Sequence, residues 1–212
     1  MGETGAKRTT YRHGALEEAL LEAGVAMARE GGGPQAIVLR EAARRAGVAP
    51  NAAYTHFANK DALVQAVARV ALAELAAAMT AAQDAVAPMD DPAAAARARF
   101  HAVGAGYLRF AREQPGLFLT AFTTQRDVSA VAEPAAAGPT GRSAIEILGD
   151  ALDGLVETGL LPPERRPGAE FLAWPTVHGL AYLAVDGPFR FLEPEQLDHL
   201  SEQLLDMIDR GI

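Results

Sequence analysis

The sequence predicts an all-α chain of about nine helices, in which a small N-terminal three-helix unit precedes a larger helical region. Three observations lead there. Apolar residues recur at helical spacing through most of the chain, clusters of Gly and Pro cut those patterns into separate helices, and no run shows the β-branched alternation of a strand. With half of the 212 residues apolar, there is ample material for a core.

Residues 1–13 carry Lys7, Arg8, Arg12 and His13 with few apolar side chains, and read as a flexible polar arm, with phosphate contact as the alternative to simple disorder. Leu16, Leu20, Ala23, Gly24 and Met27 then mark a first helix from Ala15, which Gly31-Gly32-Gly33-Pro34 ends. Over residues 39–46, Leu39, Ala42, Ala43 and Ala46 share one face while Arg40, Glu41, Arg44 and Arg45 stay outside. Gly47 supplies the positive φ of a tight turn, Val48 fills the space between helices, and Pro50 suits the first turn of a short third helix over residues 50–56. Asn59 caps a fourth helix running to about Gln83, with Leu63, Val67, Val70, Leu75 and Met79 inward. At about 1.5 Å rise per residue it is long enough to join two domains.

Beyond Pro88 the spacing predicts a fifth helix over residues 92–114 and, after Pro115-Gly116, a short apolar sixth over 117–122. Residues 123–142, with Pro134, Gly138, Pro139 and Gly141, read as a long mobile connection. Helical patterns follow over 143–158, 168–185 and 194–209, the last with Leu197, Leu200, Leu204 and Ile208 on one side. The expected division is an arm (1–13), a helix-turn-helix unit (14–59) and a helical domain (60–212).

Charge is unevenly spread. The net charge is −8, but residues 1–60 hold 8 Lys and Arg against 6 Asp and Glu, while residues 61–212 hold 11 against 21. Only the first part is suited to polyanion binding, through placement more than total charge. The absence of cysteine excludes disulfide frameworks and thiolate metal sites. Apolar stretches are broken by charges and fall short of the ~20 residues of a membrane span, and residues 1–13 lack the apolar core of a secretory signal. The expectation is a soluble, cytoplasmic protein.

Residues 12–64 resemble the DNA-binding domain of the TetR family of bacterial transcriptional regulators. YRHGALEEALLEAG is similar to that family's first helix, and LREAARRAGVAPNAAYTHFANKDALV to its helix-turn-helix with the start of helix four. Ala43, Gly47, Val48, Tyr54, Phe57, Lys60 and Leu63 carry the likeness together. FLAWPTVHGLAYL, with Trp174, His178 and Gly179, resembles the C-terminal domain of one subgroup. Two departures stand out. Ala49 replaces the family's usual Ser or Thr and forfeits a helix cap worth about 1 kcal/mol, and Ala53 replaces a larger aliphatic.

A helix-turn-helix reads bases in the major groove from the first turns of its second helix, here Pro50, Asn51, Ala52, Thr55 and His56. Asn51 suits an adenine edge, Thr55 a base or a phosphate, and Ala52 a thymine methyl. Arg40, Arg44, Tyr54 and Lys60 flank the turn as candidates for phosphate contact, Tyr54 with its ring packed inward. For each cation a solvated surface charge is the other reading. Phe57 reads as core.

The resemblance implies a homodimer on a two-fold symmetric operator in double-stranded DNA, formed through the helices over 143–158 and 168–185. It also implies a C-terminal domain that binds a small, unidentified effector. Phe100, His101, Tyr107, Phe118, Phe122, Trp174 and His178 are the candidate pocket residues, although each aromatic also fits ordinary core. Pro175 kinks or starts its helix. No cofactor, metal site or catalytic group is expected: the five histidines are dispersed, Arg126-Asp127 and Asp90-Asp91 look like solvated loop charges, and HExxH, phosphate-loop and nucleophile-elbow patterns are absent. The resulting expectation is a repressor released from its operator by a small apolar effector. The alternative is a DNA-binding regulator whose C-terminal domain serves protein association alone.

Overall fold

A computed structural model of the protein describes the backbone of residues 4–123 and 134–211, and the side chains of residues 14–122 and 134–211. Among these residues there are nine α-helices and no strand: α1 (Thr4–Gly31), α2 (Leu39–Arg45), α3 (Pro50–Ala53), α4 (Lys60–Asp84), α5 (Pro92–Glu113), α6 (Pro115–Thr123), α7 (Ala144–Glu157), α8 (Glu170–Val185) and α9 (Pro194–Gly211). The all-α expectation holds. The described 3₁₀ turns Pro34–Ala36, Pro134–Ala136, Pro163–Arg165 and Pro188–Phe191 each open on a proline, whose fixed φ suits a helical first position.

The chain divides into two units. The first takes residues 1–71 and 116–125, the second residues 72–115 and 126–212, so α4 runs from one into the other. In the first unit α1 and α4 approach closely at Gly24, where a Cβ would lie 2.8 Å from Val67 Cγ2. Leu20, Ile37, Leu63, Val67, Leu117 and Phe118 are among its fully buried side chains. A Cβ at Gly116 would overlap the Ala28 carbonyl of α1, so this glycine is what seats α6 in the first unit. Asn59 accepts from the Ala62 N–H at 2.9 Å and caps α4 as expected.

In the second unit α5 is central and packs on α7, α8 and α9. Gly106 lets α5 approach the second half of α4, where a Cβ would stand 2.9 Å from the Ala78 carbonyl oxygen. α7 opens with a capping box in which both the Ser143 N–H and its hydroxyl donate to Glu146. Arg166 ties this end of the unit together, reaching Asp153 at 2.6 Å and Glu170 at 2.8 Å.

Four local expectations differ from the structure. α1 begins at Thr4, so the backbone expected as a separate arm continues the helix, while the side chains of Lys7, Arg8, Arg12 and His13 lie outside the described residues. The described part of the connection before α7 is packed: Ala136 is 1% exposed, and a Cβ at Gly138 would meet the Ala77 nitrogen at 3.1 Å. Its first part, with Arg126-Asp127, lies outside the described residues. Pro175 sits inside α8. α4 is long and apolar enough to cross a membrane by length and composition, and 56% of its most apolar window is buried within the protein, as in a core helix.

Candidate functional site

The helix-turn-helix is built by short-range chemistry. Gly47 adopts φ +71°, a conformation that L side chains rarely take, and the Val48 N–H returns to the Ala43 carbonyl at 3.0 Å. Ala49 has extended backbone and offers no side-chain cap to α3, yet its carbonyl accepts from the Ala52 N–H at 2.9 Å, so the turn closes without the hydroxyl. α3 is shorter than expected, and residues 54–56 continue as a turn in which the Phe57 N–H reaches the Ala53 carbonyl.

That early ending sorts the expected reading set. Pro50, Asn51 and Thr55 are exposed and Ala52 is half-buried. Thr55 donates its hydroxyl to the Ala52 carbonyl at 2.7 Å, which fixes its rotamer and leaves the hydroxyl oxygen able to accept. His56 is different: its side chain is only 2% exposed, with Nδ1 3.8 Å from the Glu17 carboxylate of α1. The turn rotates it off the reading face, where it joins Ala53 and Phe57, both buried. Tyr54 also departs from expectation, because the residue is 46% exposed instead of packing its ring inward.

The expected phosphate contacts differ in how their charge is held. Arg40 and Lys60 are exposed, Lys60 donating to the Gln35 carbonyl at 3.3 Å. Arg44 grips Glu41 with two hydrogen bonds, of 2.7 and 2.8 Å. Arg45 bridges the same carboxylate, at 3.0 Å, to Glu30 of α1, at 2.9 Å. Hydrogen bonds from Arg44 and then Arg45 hold the Glu41 carboxyl down to about 2, and Arg45 holds Glu30 below the usual carboxylate range. The sequence places Arg45 outside the apolar face of its helix, without a partner assigned to it. Its i+4 relation to Glu41 was a visible signal, but its pairing with Glu30, 15 residues away, was not.

The expected pocket set is dispersed. Tyr107, Trp174 and His178 come together between α5 and α8: the Trp174 Nε1–H donates to the Tyr107 hydroxyl at 3.3 Å, and that hydroxyl lies 2.7 Å from His178 Nδ1. The hydroxyl has room to accept from the indole and donate to Nδ1 at once, an arrangement that fits a neutral His178 with its own proton on Nε2. Burial acts the same way, lowering the His178 pKa and raising that of the Tyr107 phenol. Both other rings stand edge-on to the imidazole, with centroids 6.2 Å (Tyr107) and 6.4 Å (Trp174) from it.

His101 stands apart, facing α9 with Asp206 and Asp209 at 4.0 and 3.8 Å, while Arg97 holds Asp209 at 2.8 Å. Phe100 is buried beside it. Phe118 and Phe122, 5.3 Å apart, belong to the first unit, because Gly116 seats α6 against α1. No group of three or more potential metal-ligating side chains occurs among the described residues.

The comparisons agree with this geometry. Residues 20–67 match the model of bacterial regulatory proteins of the tetR family, and residues 100–208, more than half of the chain, match the tetracyclin repressor-like C-terminal domain. No curated protein matches the chain. Among solved structures, one from Rhodococcus sp. RHA1, of a protein with unknown function, is 25% identical with a TM-score of 0.71, over 93% of this chain and 95% of that one. The transcriptional regulator FadR from Bacillus subtilis, in complex with stearoyl-CoA, is 16% identical with a TM-score of 0.65 over 92% and 98%. The TetR family regulator PfmR from Thermus thermophilus is 20% identical with a TM-score of 0.54 over 91% and 98%. With a helix-turn-helix at one end and the matching C-terminal domain over more than half of its length, the chain belongs to the TetR family, whose members are DNA-binding transcriptional regulators and not enzymes.

Proposed function

We propose that this protein is a cytoplasmic transcriptional repressor that binds a two-fold symmetric operator as a homodimer and is released from it by a small apolar effector. The observation that carries the reading is the exposed row Pro50, Asn51 and Thr55 on a helix held to α2 by the Gly47 turn. Asn51 pairs with an adenine edge, Ala52 meets a thymine methyl, and Arg40, Tyr54 and Lys60 take flanking phosphates. Arg44 contributes less, because Glu41 already neutralises it. One such unit reads too few base pairs for useful specificity, which is why two copies act together, their recognition helices reaching grooves about 34–36 Å apart.

The effector is held in the second unit beside Tyr107, Trp174 and His178, whose polar atoms supply the few oriented groups that a small-molecule site needs. Two features support this: the cluster joins the helices α5 and α8, and FadR, of similar fold, was solved with stearoyl-CoA. An effector that prefers the dimer whose recognition helices no longer match the groove spacing lowers operator affinity by that preference and no more.

The test is selection of bound duplexes from a random pool, followed by retention assays at rising salt. The expected result is an enriched site of two inverted half-sites whose binding weakens with salt. Retention that ignores sequence would overturn the reading. For the effector, a thermal-shift screen of hydrophobic small molecules should find compounds that raise the midpoint and release the selected site. If nothing does so while DNA binding persists, the C-terminal domain serves association alone.

A further inference from the structure

Arg40 and Arg44 stand four residues apart on α2 and share one face of it, away from the buried Leu39, Ala42 and Ala43. In a helix-turn-helix this first helix crosses the DNA backbone. The two arginines are held differently. Among the described residues Arg40 has no ion pair, whereas Arg44 lays Nε and Nη2 on the Glu41 carboxylate at 2.7 and 2.8 Å, although its side chain is 74% exposed. Two parallel bonds between a guanidinium and a carboxylate fix the direction of the side chain as well as its charge.

The carboxylate that holds Arg44 does not depend on it. Glu41 also accepts from Arg45 Nε at 3.0 Å, and Arg45 turns both terminal nitrogens to Glu30 of α1, at 3.1 and 2.9 Å. The hydrogen bonds from Arg44 and Arg45 hold the Glu41 carboxyl low enough to stay ionised at neutral pH. The row Arg44, Glu41, Arg45, Glu30 therefore sums to zero charge and leaves Arg40 as the uncompensated cation of α2. Within that row the link between α1 and α2 belongs to Arg45. Among the described residues Arg44 bonds only to Glu41, in an exposed pair on its own helix, an arrangement that contributes little to stability.

We propose that Glu41 is a positioning residue that limits how strongly the protein holds DNA: it keeps Arg44 along α2 and off the phosphates, lowering affinity for every duplex alike without touching base readout. This rests on the DNA-binding reading above and adds a restraint to it. A ligand shifts an equilibrium only by its preference between states, so a weaker grip is one that an effector can undo.

Glu41→Gln keeps the side chain's size and removes its charge, while Arg45 keeps its bonds to Glu30, so urea unfolding should give a midpoint close to the parent's. On the selected site and on an unrelated duplex, this variant should bind several-fold tighter at about 0.1 M salt, with log affinity falling more steeply against log salt by about 0.9 for each copy bound. Glu41→Ala, which also removes the acceptor, should gain at least as much. Arg44→Ala alone should change affinity and slope little, and combined with Glu41→Gln it should cancel the gain. A gain that survives the loss of Arg44 would make Glu41 a general repulsive charge, and an unchanged slope in Glu41→Gln would put Arg44 beyond reach of the phosphates. Either result overturns the proposal, as would a flatter slope in Arg44→Ala alone, which would mean that Arg44 already contacts DNA; all three leave the DNA-binding reading standing. Parent protein that shows no salt-sensitive, sequence-selective binding overturns both.

Discussion

Replacing Tyr107 by Phe removes one oxygen and almost no volume, so it tests the polar cluster without opening a cavity. The hydroxyl belongs to a residue only 4% exposed, accepts from the Trp174 indole at 3.3 Å and approaches His178 Nδ1 at 2.7 Å. A net hydrogen bond is worth about 0.5–1.5 kcal/mol, and a buried polar atom left without a partner costs about 1–3 kcal/mol. The indole bond is long and both partner side chains are only part-buried, which puts each contribution at the lower end. The sum is about 2 kcal/mol of lost stability, or a melting midpoint lower by about 4–8 °C for a chain of this size. Urea unfolding at fixed protein concentration measures it, with an unchanged slope confirming that only the native state has lost energy. Tyr54→Phe, on an exposed ring, serves as the control and should fall within about 0.5 kcal/mol of the parent. A Tyr107→Phe protein as stable as that control would refute the bonded cluster.

Other outcomes follow from the same geometry. Ala49→Ser restores an oxygen to the N-cap of α3 and should add about 1 kcal/mol, read by urea unfolding, whereas Ala52→Ser on the same helix should not. Asn51→Ala should cost about 1–3 kcal/mol of discrimination at one base pair of the selected site, while Lys60→Ala weakens all duplexes alike and flattens the salt dependence by about one charge, both read by titration at several salt concentrations. His178, whose pKa burial lowers, is neutral in the fold. The unfolded chain therefore takes up its proton first as acid is added, so this contribution is full above about pH 6.5 and is lost as the pH falls from there toward the folded value. A stability profile between about pH 7 and pH 5 should flatten in His178→Gln, and an unchanged slope would sink the assignment.

The helix-turn-helix was legible because its determinants are local. Gly47 needs only its own φ, Pro50 only its own ring, and Asn59 a backbone N–H three residues on. Helix periodicity likewise located α2, α5 and α7 to within a residue or two, since each presents one apolar face. α1 was placed late, because polar residues 4–13 carry no apolar stripe although their backbone continues the helix.

What the chain order could not disclose is which distant residues meet. Tyr107 and His178 are 71 positions apart and become hydrogen-bonded through the packing of α5 on α8. Phe118 and Phe122 looked like partners for Tyr107, but the missing Cβ at Gly116 seats α6 on α1 and takes them into the other unit. His56 has the composition of a base reader, yet α3 ends at Ala53 and the following turn carries its ring inward toward Glu17. In each case local propensity and spacing name the element and the side chain, while burial and partnership depend on surfaces that exist only once the helices have packed.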